Sequence, residues 1–369
     1  MRILRVAQKL YPDVKGGGPY HVHAMSRDQA AMGHDVTVLT ISYDSSLPHV
    51  EERAGYTVIR YPSNMSPFGN DVSVGLARHL EGVGPEDVDI VHAHSHLYFS
   101  TNLAALKRRF GDVPLAITNH GLFSQTAPEW IFDGYLRTLG RWTFNIADVV
   151  FCYTDTDRRR LRERGVRADV EVVPNGIDTK RFTPDGPESY LVKHDGPVVL
   201  FVGRLVQGKR PGDAVRAVAE LRRSGSRPDA ALYLCGEGPL REELHVLARE
   251  LGVGEVVTFL GHVPYDEMPA VYRSGDVLLL PSRAEGAPRT VLEARASGLP
   301  TVTSDLGQVT ASTDAAGQNV PTGDVDGFAR ALERALGDRS VERDARYDWT
   351  QTVERTTEVL STVADVADP

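Results

Sequence analysis

Residues 277–298 read VLLLPSRAEGAPRTVLEARASG and join an apolar run to a helix-like segment through a turn that carries a carboxylate. The run Val277–Leu280 predicts a buried strand, which the following Pro-Ser pair ends. Pro288 suits the first position of a helix. We therefore expect Glu285 on the strand-to-helix loop and Glu293 more than one turn into the helix.

This junction combines two kinds of binding group. The start of a helix presents unpaired backbone N–H groups that bind anions, whereas carboxylates accept hydrogen bonds from hydroxyl groups. A ligand with phosphates in the middle and hydroxyls on both sides would use both, which indicates a nucleotide sugar.

Strand-like and helix-like segments alternate through both halves of the chain, which predicts parallel sheets flanked by helices. At 369 residues the chain is too long for one ordinary core. We therefore predict an α/β fold of two Rossmann-like, doubly wound parallel-sheet domains, with the ligand in an interdomain cleft at the C-terminal ends of the strands. The predicted strands are 2–7, 35–41, 56–61, 88–93, 114–118, 148–153, 197–202, 230–235, 255–260, 276–281 and 299–303. The predicted helices are 21–32, 99–110, 154–164, 211–223, 239–251, 265–273 and 350–363.

Pro and Gly residues just after Phe182 interrupt both the helical and the strand periodicity of the sequence and indicate a linker. The predicted domains are residues 1–182 and 197–345, joined by the linker 183–196. A last helix within 346–369 either caps the second domain or crosses back to the first.

The composition excludes several classes of protein. The net charge of −9, from 41 basic and 50 acidic residues, argues against nucleic acid as the main partner. Cys152 and Cys235 are too far apart for a metal motif and are expected to be buried free thiols. The N-terminus has the pattern of a strand and not of a signal peptide, and no apolar run approaches the roughly 20 residues of a spanning helix. We expect a cytoplasmic protein, with attachment to a membrane surface left open.

Further strand-to-helix junctions carry candidate phosphate ligands. Gly16-Gly17-Gly18 precedes the first helix, and glycines let a backbone approach phosphate closely, although this is not the GxGxxG fingerprint of NAD enzymes. Arg204 and Lys209 follow a strand of the second half and could neutralise a diphosphate and stabilise it as a leaving group. The alternatives are a tight loop without a ligand and a pair of solvated surface charges.

Histidines follow strands in the first half. His120 comes directly after a strand, where it either caps a loop or hydrogen-bonds a sugar. His92, His94 and His96 alternate and should share one face, which raises the alternative of zinc, but no ligand from another element is indicated. The Asp155-Thr156-Asp157 triplet is more typical of a helix start, with Thr154 or Asp155 as the N-cap and acids in the first turn, than of a metal–diphosphate site.

Together these motifs resemble the retaining family 4 glycosyltransferases of the GT-B type. The resemblance covers nearly the whole chain, from the glycines at 16–18 through Pro174–Asp178 and Gly203-Arg204 to Glu285–Glu293 and the Ala296–Pro300 segment that continues it. It implies a hexosyltransferase-type enzyme of polysaccharide or glycolipid biosynthesis that needs no cofactor and no divalent metal. The first domain would bind the acceptor and the second the nucleotide sugar.

The resemblance also implies roles for particular residues. Arg204 and Lys209 would hold the donor diphosphate, helped by backbone amides at Gly17 and Gly18. Glu293 would bind the ribose hydroxyls.

The reacting sugar would be held from both domains. Glu285 and the backbone of Gly286, Ala287 and Pro288 would bind it from one side, and His120 would hydrogen-bond it from the opposite domain. The backbone near Val263 would meet the base. The departing diphosphate would help to deprotonate the acceptor hydroxyl in a front-face transfer.

The partners implied are a nucleotide-sugar donor and a glycan or lipid-linked acceptor, with peripheral membrane contact suggested by Arg137, Arg141 and Trp142. Three alternatives stay open. They are a nucleotide-sugar 2-epimerase on the same fold, a metal-dependent hydrolase built on the alternating histidines, and a sensor that binds a donor without transferring it.

Overall fold

The computed structural model describes residues 1–95, 97–122, 129–307, 318–337 and 347–367. They form two compact units. Unit 1 lies within Met1–Leu122, Ala127–Pro174 and Thr350–Pro369, and unit 2 lies within Asn175–Trp349.

The strands are β1 Arg2–Val6, β2 Asp35–Ser42, β3 Val50–Arg53, β4 Tyr56–Pro62, β5 Ile90–His94, β6 Leu115–Thr118, β7 Val149–Cys152, β8 Asp169–Val172, β9 Val198–Val202, β10 Ala231–Cys235, β11 Val257–Gly261, β12 Val277–Leu280, β13 Thr301–Ser304 and β14 Gln318–Val320. The helices are α1 Gly17–Ala31, α2 Val74–Gly82, α3 Phe99–Phe110, α4 Glu129–Tyr135, α5 Arg141–Ile146, α6 Asp155–Glu163, α7 Pro211–Arg223, α8 Arg241–Glu250, α9 Met268–Arg273, α10 Arg289–Ala296, α11 Val325–Gly337 and α12 Trp349–Ala367.

Unit 1 is built on a sheet of order β3-β4-β2-β1-β5-β6-β7-β8. Its described strands pair in parallel except for the antiparallel β3–β4 hairpin at one edge. One apolar core packs α2, α3, α5 and α6 on one face, and a second core packs α1 and α12 on the other. The order reverses between β1 and β5, so the loops after these two strands diverge there.

Unit 2 has a fully parallel sheet of order β11-β10-β9-β12-β13-β14 among its described strands. In chain order this is 3-2-1-4-5-6, the arrangement of dinucleotide-binding folds. Helices α7, α8 and α11 cover one face, and α9 and α10 cover the other. The reversal falls between β9 and β12.

The predicted α/β class with two parallel sheets is confirmed, and so are the strands predicted from apolar runs. The short strands β3, β8 and β14 were not predicted, because edge strands bury little surface and carry polar residues such as those of Val50–Arg53. Helices α2, α4 and α11 were not predicted either. Among the helices that the structure describes, none is both long and apolar enough to cross a membrane.

The predicted linker and the last helix each belong to one of the two units. The predicted linker, residues 183–196, lies in unit 2, where Arg273 Nε donates to the carbonyl of Pro187 at 2.8 Å. The last helix belongs to unit 1 from Thr350 onward, and its fully buried Leu360 packs into the second core of that unit.

Glycines bring the loops of unit 2 close together. The N–H of Gly203 donates to the carbonyl of Cys235 at 2.9 Å, and the N–H of Leu205 donates to Glu237 at 2.8 Å. Gly236 has a φ of +147°, and a Cβ on it would lie 1.9 Å from the carbonyl oxygen of Gly203. This contact fixes the loop that leads from β9 to Arg204.

We predict that Gly236→Ala destabilises the protein, because the new methyl group overlaps with backbone that has no room to move. Overpacking of about 1–3 kcal/mol adds to left-handed strain of about 1–2 kcal/mol. Chemical unfolding should therefore show a loss of about 3 kcal/mol. Gly337→Ala is the control, since its Cβ would meet nothing within 4 Å; equal effects of the two changes would contradict the steric argument.

Candidate active site

The two loops at the strand-order reversal of unit 2 meet through an ion pair. Lys209 ends a short 3₁₀ turn after β9, and Glu285 lies on the loop after the neighbouring strand β12. Their Nζ and Oε1 atoms lie 2.5 Å apart. The cation predicted to hold a diphosphate and the carboxylate predicted to hold a sugar are thus paired with each other.

This pair is largely removed from solvent. The Lys209 side chain is 14% exposed and that of Glu285 is 6% exposed. A buried ion pair overcomes its desolvation cost only when its remaining donors and acceptors find partners. The ammonium group has three N–H donors, of which Glu285 occupies one. A phosphate could accept the others without breaking the pair.

The loop that carries Glu285 is fixed from a distant part of the chain. Asn175 Nδ2 donates to the carbonyl of Ala287 at 3.0 Å. Gly286 and Pro288 are buried and Ala287 is half-buried. The Asn of the Pro174–Asp178 motif therefore shapes the predicted sugar-binding loop.

The helix after this loop begins one residue later than predicted. Pro288 is the residue before α10, with φ −70° and ψ 110°, and the helix begins at Arg289. No side chain caps this end. Its first N–H groups thus remain suited to an anionic ligand.

Glu293 lies one turn into α10 and is 4% exposed. Tyr272 donates to its Oε2 at 2.9 Å, and Tyr265 donates to its Oε1 at 3.1 Å. The Nε of Arg289 lies 3.6 Å from the same Oε1. Burial raises the pKa of Glu293, which the neighbouring Arg289 and the two tyrosine hydroxyls oppose.

The other predicted donor residues of unit 2 differ in exposure. Arg204 is exposed just after β9. Val263 is buried, and its side chain packs in the core beside Cys235, so only its backbone could meet a base.

The predicted glycine loop of unit 1 is the first turn of a helix. Gly16 precedes α1 with φ +140°, whereas Gly17 and Gly18 lie inside α1. This differs from the prediction that all three form a loop. A Cβ on Gly18 would meet nothing within 4 Å, so space is open beside this helix start.

His120 lies in a cluster of aromatic side chains in unit 1. Its Nε2 is 3.1 Å from His94 Nδ1, and its Nδ1 is 2.7 Å from the hydroxyl of Tyr153. His21, one turn after Gly17, packs edge-on against the ring at 5.2 Å between centroids. Burial lowers the pKa of His120 to about 4, so the ring is neutral at pH 7.

A neutral imidazole carries one N–H, so one ring nitrogen of His120 donates a hydrogen bond and the other accepts one. If Tyr153 donates to Nδ1, then Nε2 of His120 carries the proton and donates to His94. A sugar hydroxyl could accept that same N–H. The Nε2 atom of His94 is buried without a hydrogen-bond partner. The predicted sugar contact of His120 therefore competes with a contact inside unit 1.

A buried arginine contacts His92, the histidine next to His94 on the same face of β5. Arg5 is completely buried and donates to Ser26 at 2.7 Å and to Gln29 at 2.5 Å. Its Nη2 lies 3.4 Å from His92 Nδ1. Because arginine only donates, His92 must be protonated on Nε2, which lies 2.7 Å from Thr118 Oγ1. Burial, with Arg5 close by, keeps the pKa of His92 well below its ordinary value.

The described residues offer little support for a metal site. Among them, no group of three or more His, Cys, Asp or Glu side chains could hold a metal ion. The rings of His92 and His94 do share a face, 4.4 Å apart, but His96 lies outside the described residues.

Two predictions about structural residues are confirmed. Thr154 caps α6 by accepting from the N–H of Asp157 at 3.1 Å, and the acidic triplet forms the first turn of this helix. Cys152 and Cys235 are buried free thiols, and burial raises the pKa of each to about 12.

Each unit gathers part of the predicted site. Unit 2 pairs Lys209 with Glu285, and unit 1 places α1 beside His120 through His21. Sequence reasoning missed other members of these groups, namely Tyr153, Tyr265, Tyr272, Arg289 and the role of Asn175. Of these, Asn175 stood in the Pro174–Asp178 motif and Arg289 in the Glu285–Glu293 motif, so both motifs contained a signal for them.

Comparisons with known proteins match both halves of the chain to glycosyltransferase families. Residues 15–181 match the family described as Glycosyltransferase Family 4, and residues 184–352 match Glycosyl transferases group 1. The chain is 30% identical to a glycogen synthase of Mycobacterium tuberculosis, over 97% of this chain and 94% of that protein.

A second relative and a solved structure extend the comparison. The chain is 31% identical to a GDP-mannose-dependent alpha-(1-6)-phosphatidylinositol monomannoside mannosyltransferase of Mycolicibacterium smegmatis, over 89% of this chain and 87% of that protein. The fold is similar to that of a sucrose-phosphate synthase from Thermosynechococcus elongatus, with a TM-score of 0.82 and 21% identity over 99% of this chain and all of that one.

The half-buried histidines His23 and His120 predict a loss of stability in acid. Burial lowers the pKa of His120 and of His23 to about 4, from an ordinary value near 6.5. As the pH falls from 6.5 to 4, the unfolded state binds protons first and is favoured. Each histidine can lower the free energy of unfolding by at most about 3 kcal/mol at pH 4.

Denaturant midpoints measured between pH 7 and pH 4 would check this. His120→Asn cannot take up the proton, so its stability should fall less steeply with pH than that of the wild type. His262→Asn, at an exposed histidine, is the matched control. A pH dependence that His120→Asn leaves unchanged would contradict the assignment.

Proposed function

This chain belongs to the family 4 glycosyltransferases of the GT-B fold, and from that premise we propose that it transfers a sugar from a nucleoside diphosphate to a hydroxyl acceptor with retention of configuration and without a metal. The observation that carries the proposal is the buried Lys209–Glu285 pair at the strand-order reversal of unit 2. It joins a phosphate ligand to a hydroxyl ligand at the place where such sheets bind nucleotides.

The donor would lie along the ends of β9 and β12. Lys209 keeps its contact with Glu285 and offers its remaining N–H donors to the diphosphate, with Arg204 as a second cation. The uncapped start of α10 adds backbone N–H groups. Glu293 takes the ribose hydroxyls and the backbone at Val263 meets the base.

In the proposed transfer the protein forms no covalent bond to the sugar. The bond between the anomeric carbon and the diphosphate oxygen breaks, and the electron pair leaves with the nucleotide. The acceptor oxygen forms its bond on the same face, and its proton passes to the departing phosphate. Lys209 and Arg204 stabilise the charge that develops on the phosphate. Glu285, the backbone of Gly286 and Ala287, and His120 orient the sugar.

We further propose a lipid-linked acceptor. The mannosyltransferase relative is named for a phosphatidylinositol mannoside. On unit 1, Trp130 is 77% exposed and Trp142 is 37% exposed, close in sequence to the exposed Arg137 and Arg141. Aromatic rings and arginines together favour the interface of an anionic membrane.

The test of transfer is a panel of nucleotide sugars incubated with lipid-linked and free glycan acceptors. Glu285→Gln should lower kcat about a hundredfold, since one aimed polar group contributes about 3 kcal/mol to transition-state stabilisation. Nucleotide affinity, measured by calorimetry, should change little. Lys209→Ala is the comparison variant and should weaken both, because it contacts the diphosphate.

Three results would contradict the proposal. An equal loss of nucleotide affinity in Glu285→Gln would overturn the division of roles. Turnover of the nucleotide sugar without an acceptor would favour the 2-epimerase, and activity abolished by a chelator would favour a metal-dependent enzyme.

Membrane contact has its own test. Sedimentation with vesicles of mixed anionic and zwitterionic phospholipid should retain the protein, and Trp130→Ala should weaken binding several-fold because the ring no longer inserts. Tyr190→Ala, at an aromatic residue of unit 2 that is 73% exposed, is the matched control. Binding that is insensitive to Trp130→Ala would contradict this surface.

A further inference from the structure

Arg289 contacts more than the carboxylate of Glu293. It opens α10 and is 9% exposed. Its Nη1 donates to the carbonyl of Gly176 at 2.8 Å, and its Nη2 lies 3.1 Å from the hydroxyl of Tyr265. The guanidinium also lies 5.4 Å from the ring centroid of Trp349. One side chain thus contacts four separate parts of unit 2.

Two of those parts are the segments by which the chain enters and leaves unit 2. The unit begins at Asn175 and ends at Trp349. These segments pair with each other, because the N–H of Ile177 donates to Tyr347 at 2.8 Å and the N–H of Trp349 donates to Ile177 at 2.9 Å. Asp348 accepts a further hydrogen bond from Thr179 at 2.6 Å. We call residues 175–179 and 347–349 the paired segments.

Arg289 therefore connects the carboxylate of Glu293 to both paired segments. It contacts the first through Gly176 and the second through Trp349. A guanidinium suits this task, since its planar fork can donate in several directions while one face stacks on an aromatic ring. A lysine at this position would retain the charge and lose the geometry.

We propose that Arg289 is a positioning residue that couples occupancy of the donor site to the paired segments. This rests on the proposed role of Glu293 as the ribose ligand. Both oxygens of Glu293 already accept hydrogen bonds from Tyr265 and Tyr272, and Arg289 lies beside Oε1. Two ribose hydroxyls that bind this carboxylate compete with those contacts. Because Arg289 also contacts Gly176 and Trp349, any shift of its side chain changes its contacts with both of these residues.

The same contact keeps the donor carboxylate in its useful form. A buried carboxylate without a cation tends to bind a proton, and a neutral acid accepts hydrogen bonds from a diol poorly. The cation of Arg289 opposes the effect of burial on the pKa of Glu293. The charge of Arg289 and the geometry of its guanidinium group are therefore expected to contribute separately to nucleotide binding and to the coupling. Two substitutions of Arg289 can distinguish these contributions.

Trp349 provides a direct readout. The chain has three tryptophans, and Trp130→Phe with Trp142→Phe leaves Trp349 as the single indole reporter. UDP, GDP and ADP are the probes, with affinity measured by calorimetry and emission measured in the same samples. We expect the nucleotide that binds to change the emission of Trp349.

In that background, Arg289→Lys should bind the nucleotide within about fivefold of the parent and lose most of the emission change. Arg289→Met should lose affinity tenfold or more, and the loss should grow as the pH falls, because Glu293 becomes protonated more readily. Arg295→Lys, at another buried arginine of α10, is the matched control and should keep both signals. Circular dichroism confirms that each variant is folded.

An undiminished emission change in Arg289→Lys would overturn the coupling, as would a parent that binds a nucleotide with no change at Trp349. If the parent binds none of the probes, the proposed function itself fails, and calorimetry distinguishes that outcome. If Arg289→Met does not fold, Arg289→Lys still decides the result.

Discussion

In a parallel sheet all strands end at the same edge, and neighbouring loops separate only where the strand order reverses. In unit 2 this occurs between β9 and β12, and in unit 1 between β1 and β5. Three of the predicted ligand-binding segments follow from this constraint, whereas His120 follows β6 and Val263 follows β11. The segments that carry Lys209 and Glu285 leave the two strands at the reversal of unit 2, and α1 follows the first strand of unit 1.

The two carboxylates of the Glu285–Glu293 motif occupy different environments, which agrees with the different roles proposed for them. Glu285 is paired directly with a lysine on the adjacent loop, so a phosphate and a sugar can be held by one ion pair. Glu293 is surrounded by two tyrosine hydroxyls and an arginine inside the helix layer. The retaining glycosidase arrangement places two carboxylates on either side of one bond. Here each carboxylate has its own set of partners, which agrees with separate contacts to sugar and ribose.

The charge beside the histidine cluster of unit 1 has neutral partners. Arg5 has a serine, a glutamine and a histidine as hydrogen-bond partners, and burial lowers the pKa of Arg5 to about 9. Elsewhere in unit 1 the buried Arg60 is paired with Asp13 and Glu51. Burial also keeps the neighbouring histidines uncharged, so the cluster around His120 works through the direction of its hydrogen bonds. A neutral imidazole that can donate one hydrogen bond to a hydroxyl is compatible with the sugar contact proposed for His120.

Local patterns in the chain were enough to predict the α/β class, the order of the main elements, the Lys209 and Glu285 motifs and the N-cap of α6. These features depend on local period, on turn residues and on short spacings, which a linear pattern records. The pairing of Lys209 with Glu285, the contacts of His94 and Tyr153 with His120, and the reach of Arg289 to both paired segments were not predictable in this way. Tyr272 and Glu293 are far apart along the chain and meet because α9 and α10 cover the same face of one sheet. Contacts of this kind arise from packing between elements, and no periodicity in the chain encodes them.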